Sequence, residues 1–416
     1  MTQSRRQLAS GVLLGAVVAC ESGAPPPAAT PIAVDPGAPA TSQYEPEAPL
    51  SIGNAPATAS DSQREALYWV NTWRARAGVG PVQQLETLNG AAVGHAAFLV
   101  ENPDLYADGL SAHEQASERA NFAGVHFWER MALAGYGGEP FREVIAYQAT
   151  AAAAVAHWLE TVYHRLPILH PSSMHVGYAQ IGMVGAYVNV LDIGTDSDGM
   201  AVAPPEGVAW PPDGATDVAL AWDGLENPAP PAPPAGFPSG PVLSLQFGLG
   251  ADLRVTRTQI VDETDGRVLG HVTLTSDNDP FLQGEAAVVF YPHAPLQPGR
   301  SVVAVVEGVL DGREFSRTWR FTTAGSTSCD LVRQDCSVGR ACYSGSEASV
   351  CAWAGGAGVG QACAYQNDCA SGATCIGGEC RAYCALNGAG PDACSTACPA
   401  GFSPITSPGV GACKNP

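Results

Sequence analysis

Histidines crowd the first half of this 416-residue chain: of nine in total, all but His271 and His293 fall between residues 61 and 193. Two imidazoles and a carboxylate brought together can do three things. They can bind Zn²⁺ as a His₂Glu set with an open position, which lowers the pKa of a bound water toward ~7. They can act as a general acid and base. They can also form a hydrogen-bonded cluster that fixes loops against a scaffold. No local signature selects among these: the chain has no His-Glu-x-x-His and no Gly-x-Ser-x-Gly, and Ser111 near His113 lacks any supporting pattern.

The elements that would position such a site follow from apolar periodicity. Ser62-x-x-Glu65 reads as a capping box opening a helix with Leu67, Val70, Trp73 and Ala77 inward, stopped by Gly78, Gly80 and Pro81. A second helix carries Leu85, Leu88, Ala92, Ala96 and Leu99 and ends at Asn102-Pro103. A short helix runs from Trp128 to Leu133. A fourth starts near Thr150, turns Val155, Trp158, Leu159 and Val162 inward, and is broken by Pro167. Two strands follow, Val176–Met183 and Ala186–Ile193, the second alternating Val188 and Val190 with Tyr187, Asn189 and Leu191. Helices followed by hairpin-forming strands predict an α+β fold. His95, between Ala92 and Ala96, reads as a core residue. His170 and His175, flanking Pro171-Ser172-Ser173, read as solvated loop residues at a cleft rim, and His126 and His157 carry no signal. Trp69, Trp73, Trp128 and Trp158 fit helical core faces.

The same segment contains His113-Glu114, Arg130 to Tyr136, Glu143-Val144-Ile145, Trp158 to Arg165 with His164 near its end, and Gly177-Tyr178. In this order and spacing it resembles the bacterial branch of the CAP superfamily (cysteine-rich secretory proteins, antigen 5, pathogenesis-related 1). The resemblance implies an α-β-α sandwich with a cleft lined by two histidines and acidic side chains. Carried over residue by residue, it assigns His113 and His164 as the cleft histidines and Glu143 as the acid. Here Glu143 is flanked by Arg142 and Val144, so only the acid of the family's Gly-Glu-Asn motif is retained. Glu114 is a fourth candidate, although its side chain points elsewhere if the segment is extended.

The length predicts two to four domains. A net charge of −20 excludes nucleic acid and anionic membrane surfaces as partners, because both require a basic face. Arg5-Arg6 followed by the apolar run Leu8 to Ala19 reads as an export signal too short to span a bilayer. Val17-Val18-Ala19-Cys20 resembles a bacterial lipobox with Cys20 as the lipid-modified residue, which implies a lipid-anchored protein of the outer membrane or cell surface. A plain secretory signal is the alternative, and Ser4-Arg5-Arg6-Gln7-Leu8 only loosely resembles a twin-arginine signal. The remaining organisation reads as 1–20 signal peptide, 21–60 disordered linker, 61–195 first domain, 196–240 proline-rich join, 241–324 β-sandwich and 325–416 cysteine-rich tail. Trp210 to Val218 looks like the opening of a bacterial Ig-like domain and Thr318 to Thr323 like its last strand, which would start the sandwich near 205. Asp265-Gly266 and Asp311-Gly312 read as hairpin turns.

The tail holds an internal repeat: Asp335 to Cys342 aligns with Asp368 to Cys375. Cysteines precede each block (Cys329, Cys363) and follow it (Cys351, Cys380). With Cys336, Cys342, Cys369 and Cys375 they form two groups of four. Cys384, Cys394, Cys398 and Cys413 form a looser third. Two disulfides per group are predicted, with pairing open, in an oxidising compartment. The absence of any Cys-x-x-Cys pair and of histidine beyond His293 argues against a zinc module.

These readings converge on an exported three-module protein. Its predicted role is non-catalytic binding of a lipid, sterol, glycan or protein through the cleft, with no required cofactor, and with Zn²⁺ or another divalent metal as a candidate cleft ligand. Two alternatives stand beside it: a metal-dependent hydrolase using His113, His164 and Glu143, and adhesion through the disulfide-rich tail.

Overall fold

Gln63 decides where the first helix begins. Its side-chain oxygen accepts from the Ser60 N–H at 2.8 Å while Ser60 Oγ accepts from the Gln63 N–H at 3.3 Å. This reciprocal cap starts α1 (Asp61–Arg76) at Ser60, not at the predicted Ser62 and Glu65. Tertiary structure settles the choice, since buried Gln63 also donates from Nε2 to the Tyr178 carbonyl at 2.9 Å. Residues 54–60, predicted to belong to the linker, therefore pack on the domain: Ala59 is buried, and the carbonyls of Pro56 and Ala57 accept from Arg64. The computed structural model describes residues 54–413 apart from 109–110, 184–185, 197–203, 326–327, 337–339, 346–347, 387, 389–391, 395–397, 399–401 and 405–408. The predicted signal peptide, Cys20 and most of the linker lie outside the described residues.

The first module is a sheet between helical layers. After α1 come β1 (Gln83–Gln84), α2 (Glu86–Glu101), α3 (Phe127–Leu133), β2 (Glu139–Ala146), α4 (Ala151–Glu160), α5 (Arg165–Leu169), β3 (His175–Met183) and β4 (Ala186–Thr195). Strand order is β1-β3-β4-β2, with β4 antiparallel to both of its neighbours and β1 parallel to β3. The period-2 alternation of side chains sends Val144, Tyr178 and Leu191 to the face covered by α1 and α4, where Leu67, Val70, Val155 and Trp158 complete one core. Their neighbours Ile145, Ala179 and Val190 face α2, against Ala92, Ala96 and Leu99. Helix α4 is capped by Thr150, whose Oγ1 accepts from the Ala153 N–H at 3.1 Å. It ends at Thr161, before the predicted breaker: Pro167 lies inside the separate helix α5. Trp158 is fully buried and Trp69 and Trp73 partly so, but Trp128 is 47% exposed and stacks on His126, contrary to its assignment to a core face.

Gly177 permits the contact between α2 and β3. A Cβ there would lie 2.0 Å from the Leu88 carbonyl carbon, which is backbone and cannot swing aside. Gly177→Ala is expected to cost about 2–3 kcal/mol by overpacking. The readout is a lower urea midpoint at unchanged m-value. An unchanged midpoint would refute the close approach.

The segment predicted as a proline-rich join supplies strands to the second module. These are β5 (Val208–Trp210) and β6 (Ala215–Val218), followed by β7 (Leu243–Gln246), β8 (Leu253–Asp262), β9 (Arg267–Val268), β10 (His271–Thr275), β11 (Ala287–Pro292), β12 (Ser301–Leu310) and β13 (Arg313–Thr323). They form two sheets, β10-β11-β7-β5 and β6-β13-β12-β8-β9. Leu243, Leu245, Val288 and Phe290 of the first share a core with Ile260, Val302, Ala304, Trp319 and Phe321 of the second. Asp311 and Gly312 turn β12 into β13 with φ of 50° and 75°, the positive values a two-residue hairpin requires. The module packs against the first. Val242, Val289 and Tyr291 cluster with Val162 and Leu166 of the first module, and Val208 lies in the core built on α1 and α4.

In the tail, pairing in the two repeats is first to third and second to fourth: Cys329–Cys342 with Cys336–Cys351, and Cys363–Cys375 with Cys369–Cys380. The last group pairs Cys384–Cys394 and Cys398–Cys413. In each repeat the two hairpin cysteines, Cys342 with Cys351 and Cys375 with Cys380, stand opposite each other, yet each bonds a cysteine upstream. The bridges thus staple the chain before the hairpin onto it, as a module with few apolar residues requires. Arg340 at its start bonds Glu160 at the end of α4, at 2.7 Å.

Candidate functional site

Strand β2, which the sequence analysis did not predict, carries Glu143 into the interior, where its side chain is 0% exposed. An ionised carboxylate there needs strong partners. Arg130 of α3 donates from Nη2 to Oε2 at 2.7 Å, and His113 Nδ1 lies 2.9 Å from Oε1. Arg130 also donates to the carbonyls of His113 (3.2 Å) and Val125 (3.0 Å), so one cation fixes both the acid and the loop that carries the histidine. Below them His95 is fully buried. Its Nε2 is 2.9 Å from the Ala112 carbonyl and its Nδ1 is 2.9 Å from the Gln115 amide, which makes Nε2 the protonated nitrogen.

Burial by itself would raise the pKa of Glu143. The attraction of His95, the hydrogen bond from His113 and the charge of Arg130 outweigh it and hold the group below the usual carboxylate range. Since burial pushes His95 down to about 4, that ring is neutral near pH 7, and Arg130 is the standing charge. Asp192 pairs with Glu143 in register across β2 and β4. Neither of its buried oxygens has a protein hydrogen-bond partner. Burial, then the charge of Glu143, raises its pKa well above the ordinary value.

His164 sits in the turn between α4 and α5. Its Nδ1 lies 2.7 Å from Oε1 of Glu226, whose side chain is also 0% exposed. Carboxylates only accept, so Nδ1 carries the proton in both His113 and His164. Nε2 of each ring then has no protein partner among the described residues. Both rings line one cavity of about 180 Å³, together with Glu143, His170, Phe141 and Pro167.

This arrangement revises the predicted metal set. Among the described residues, groups of three His, Cys, Asp or Glu ligand atoms within 4.8 Å of one another consist only of disulfide cysteines, so His113, His164 and Glu143 are not gathered as three ligands. Glu143 orients a histidine and neutralises Arg130. Glu114 does not line the cavity; its N–H closes a turn on the Ser111 carbonyl.

Residues 67–181 match the model of the cysteine-rich secretory protein family, CAP. These residues form a CAP domain. Among solved structures, the chain is similar to an outer surface protein of Borrelia burgdorferi (15% identity, 31% of this chain and 87% of that one, TM-score 0.25). It is also similar to venom allergen-like protein 4 of Schistosoma mansoni (12% identity, 34% and 94%, TM-score 0.24). No curated protein matches it.

Two further histidines of the CAP domain are held by neighbours. His170 is buried, not solvated: it packs against Phe141, accepts the Ser172 N–H at Nδ1, and burial pushes its pKa down to about 4. His175 begins β3 and its ring meets the Tyr136 hydroxyl at 3.0 Å, away from the cavity. Glu226, which completes the environment of His164, lies outside the CAP match. Nothing in its local sequence marks it, because it stands among turn residues and prolines far from His164 in the chain. Arg130 was within the recognised motif, and a single arginine in a short apolar helix is the signal that could have singled it out.

Proposed function

We propose that this is an exported, non-catalytic binding protein whose CAP cleft receives its ligand on two imidazole Nε2 atoms. The observation that carries this reading is the pairing of each of two cavity-lining histidines, through Nδ1–H, with a buried carboxylate, which leaves Nε2 of each without a protein partner among the described residues. Imidazole Nε2 atoms so oriented accept a divalent ion such as Zn²⁺ or the hydroxyl donors of a sugar. The cavity, at about 180 Å³, is smaller than the ~300–1,000 Å³ of drug-sized clefts. It suits an ion, a sugar or one side chain better than a whole sterol or lipid. A hydrolase reading has less support. Glu143 is committed to Arg130 and His113, its lowered pKa makes it a weak base, and the cavity is lined by no serine, threonine or cysteine.

Six disulfides support an oxidising, extracellular setting. No helix among the described residues is long and apolar enough to cross a membrane. Lipid attachment at Cys20 supplies the anchor in this reading, and the two-sheet module is an Ig-like sandwich. The test is a calorimetric Zn²⁺ titration of the whole chain beside His113→Ala/His164→Ala. One site of about micromolar affinity, absent from a folded double variant, is expected. Equal heats in both proteins would refute metal binding at the cleft.

A further inference from the structure

The cleft is not a property of the CAP domain alone. Glu226 comes from the segment that threads into the second module, and both of its oxygens are spent on one CAP turn. Oε2 accepts the Val162 N–H at 2.6 Å. Oε1 accepts the N–H groups of Tyr163 and His164 at 2.7 and 3.1 Å, along with the imidazole at 2.7 Å. The cavity wall continues outside the CAP match through Asn227, Pro228, Phe281 and Glu285. Three contacts close this seam. Tyr163 donates from its hydroxyl to Asp279 at 2.8 Å and meets the Phe281 ring, and Arg142 pairs with Glu285.

We propose that the second module completes the binding cleft: Glu226 is the positioning residue that fixes the His164 tautomer, and the wall it brings narrows the site to small, polar ligands. The inference rests on the binding reading above and extends it. An isolated CAP domain would keep His113 with its acid and lose the acid of His164.

The experiment is ¹⁵N-imidazole NMR on the full chain, with Zn²⁺ alone as the ligand probe, comparing the parent with Glu226→Ala, which removes the acceptor. In the parent, both His113 and His164 should carry the proton at Nδ1. In the variant, His164 should lose that fixed tautomer while His113 keeps it, and Zn²⁺ affinity should drop about 10–100-fold, as for loss of an outer-shell partner. A folded variant with an unchanged His164 tautomer and Zn²⁺ affinity within about twofold overturns the proposal. If the variant does not fold, the parent decides: a His164 ring protonated at Nε2 and bare at Nδ1 overturns it as well. A parent that shows the expected tautomers but binds no Zn²⁺ refutes the metal reading and leaves the positioning role of Glu226 standing.

Discussion

Replacing Glu143 by alanine is expected to destabilise the folded chain by about 3–5 kcal/mol, the cost of leaving a buried charge without its partner. Arg130 would bear that cost. Its side chain is 1% exposed, Glu143 Oε2 is its one ion-pair partner among the described residues, and its other hydrogen bonds go to carbonyls. The loop carrying His113 would loosen together with it, since Arg130 and Glu143 hold that residue at its carbonyl and its ring. Urea unfolding of three proteins tests the mechanism as well as the magnitude: the parent, Glu143→Ala and the double replacement Glu143→Leu/Arg130→Met. If an unpaired charge is the cause, the double variant loses less than the single one, because a buried pair exchanged for apolar groups of similar volume is often nearly neutral. A single-variant loss below about 1 kcal/mol, the scale of an exposed ion pair, would mean that water reaches Arg130 and that the site is not closed as described.

Acid is expected to unfold the protein well above the range in which its carboxylates titrate. Burial, the main cause in each case, pushes His95, His157 and His170 down to about 4. In the unfolded chain they titrate near ~6.5. Between these values the unfolded state binds protons that the folded state refuses, so stability is greatest above pH ~6.5 and is lost as pH falls toward 4. Three such groups give a slope of up to ~4 kcal/mol per pH unit, enough to consume a total stability of ~5–15 kcal/mol within the window. The lowered pKa of Glu143 adds further loss below the ordinary carboxylate range, with the same sign. Denaturant titrations at pH 7, 6 and 5 should show midpoints falling with increasing steepness, and His170→Asn should flatten the dependence. A midpoint constant from pH 7 to 5 would show that these rings are protonated in the folded state.

Much of the frame was legible because it depends on local rules. The apolar spacing of Leu88, Ala92, Ala96 and Leu99 places α2, Thr150 caps α4, and the alternation through Val188 and Val190 places β4. Asp311-Gly312 marks its hairpin because few other pairs adopt two positive φ values in succession. Strand β2 was not legible. It begins at Glu139-Pro140, its register shifts between Pro140 and Arg142, and its charged Arg142-Glu143 pair interrupts the apolar run until a neighbouring strand and helix are in place. The same limit applies to charge. Arg74 looks like an exposed residue of α1, yet it is 1% exposed and donates to the carbonyls of Gly80, Ile168, His170 and Ser173.

The sequence by itself determined the cleft residues His113, Glu143 and His164, most of the helices and strands around them, the repeat of the cysteine tail and the acidity of the chain, because each is set by side-chain chemistry or by spacings within a few turns. Only the tertiary structure decided what those residues do. Packing brought Arg130 and Asp192 to Glu143, tied that acid to His113, and delivered Glu226 from another module to His164. No periodicity records such meetings. They follow from which surfaces the whole chain buries together, and a buried carboxylate takes its role from the donors that reach it there.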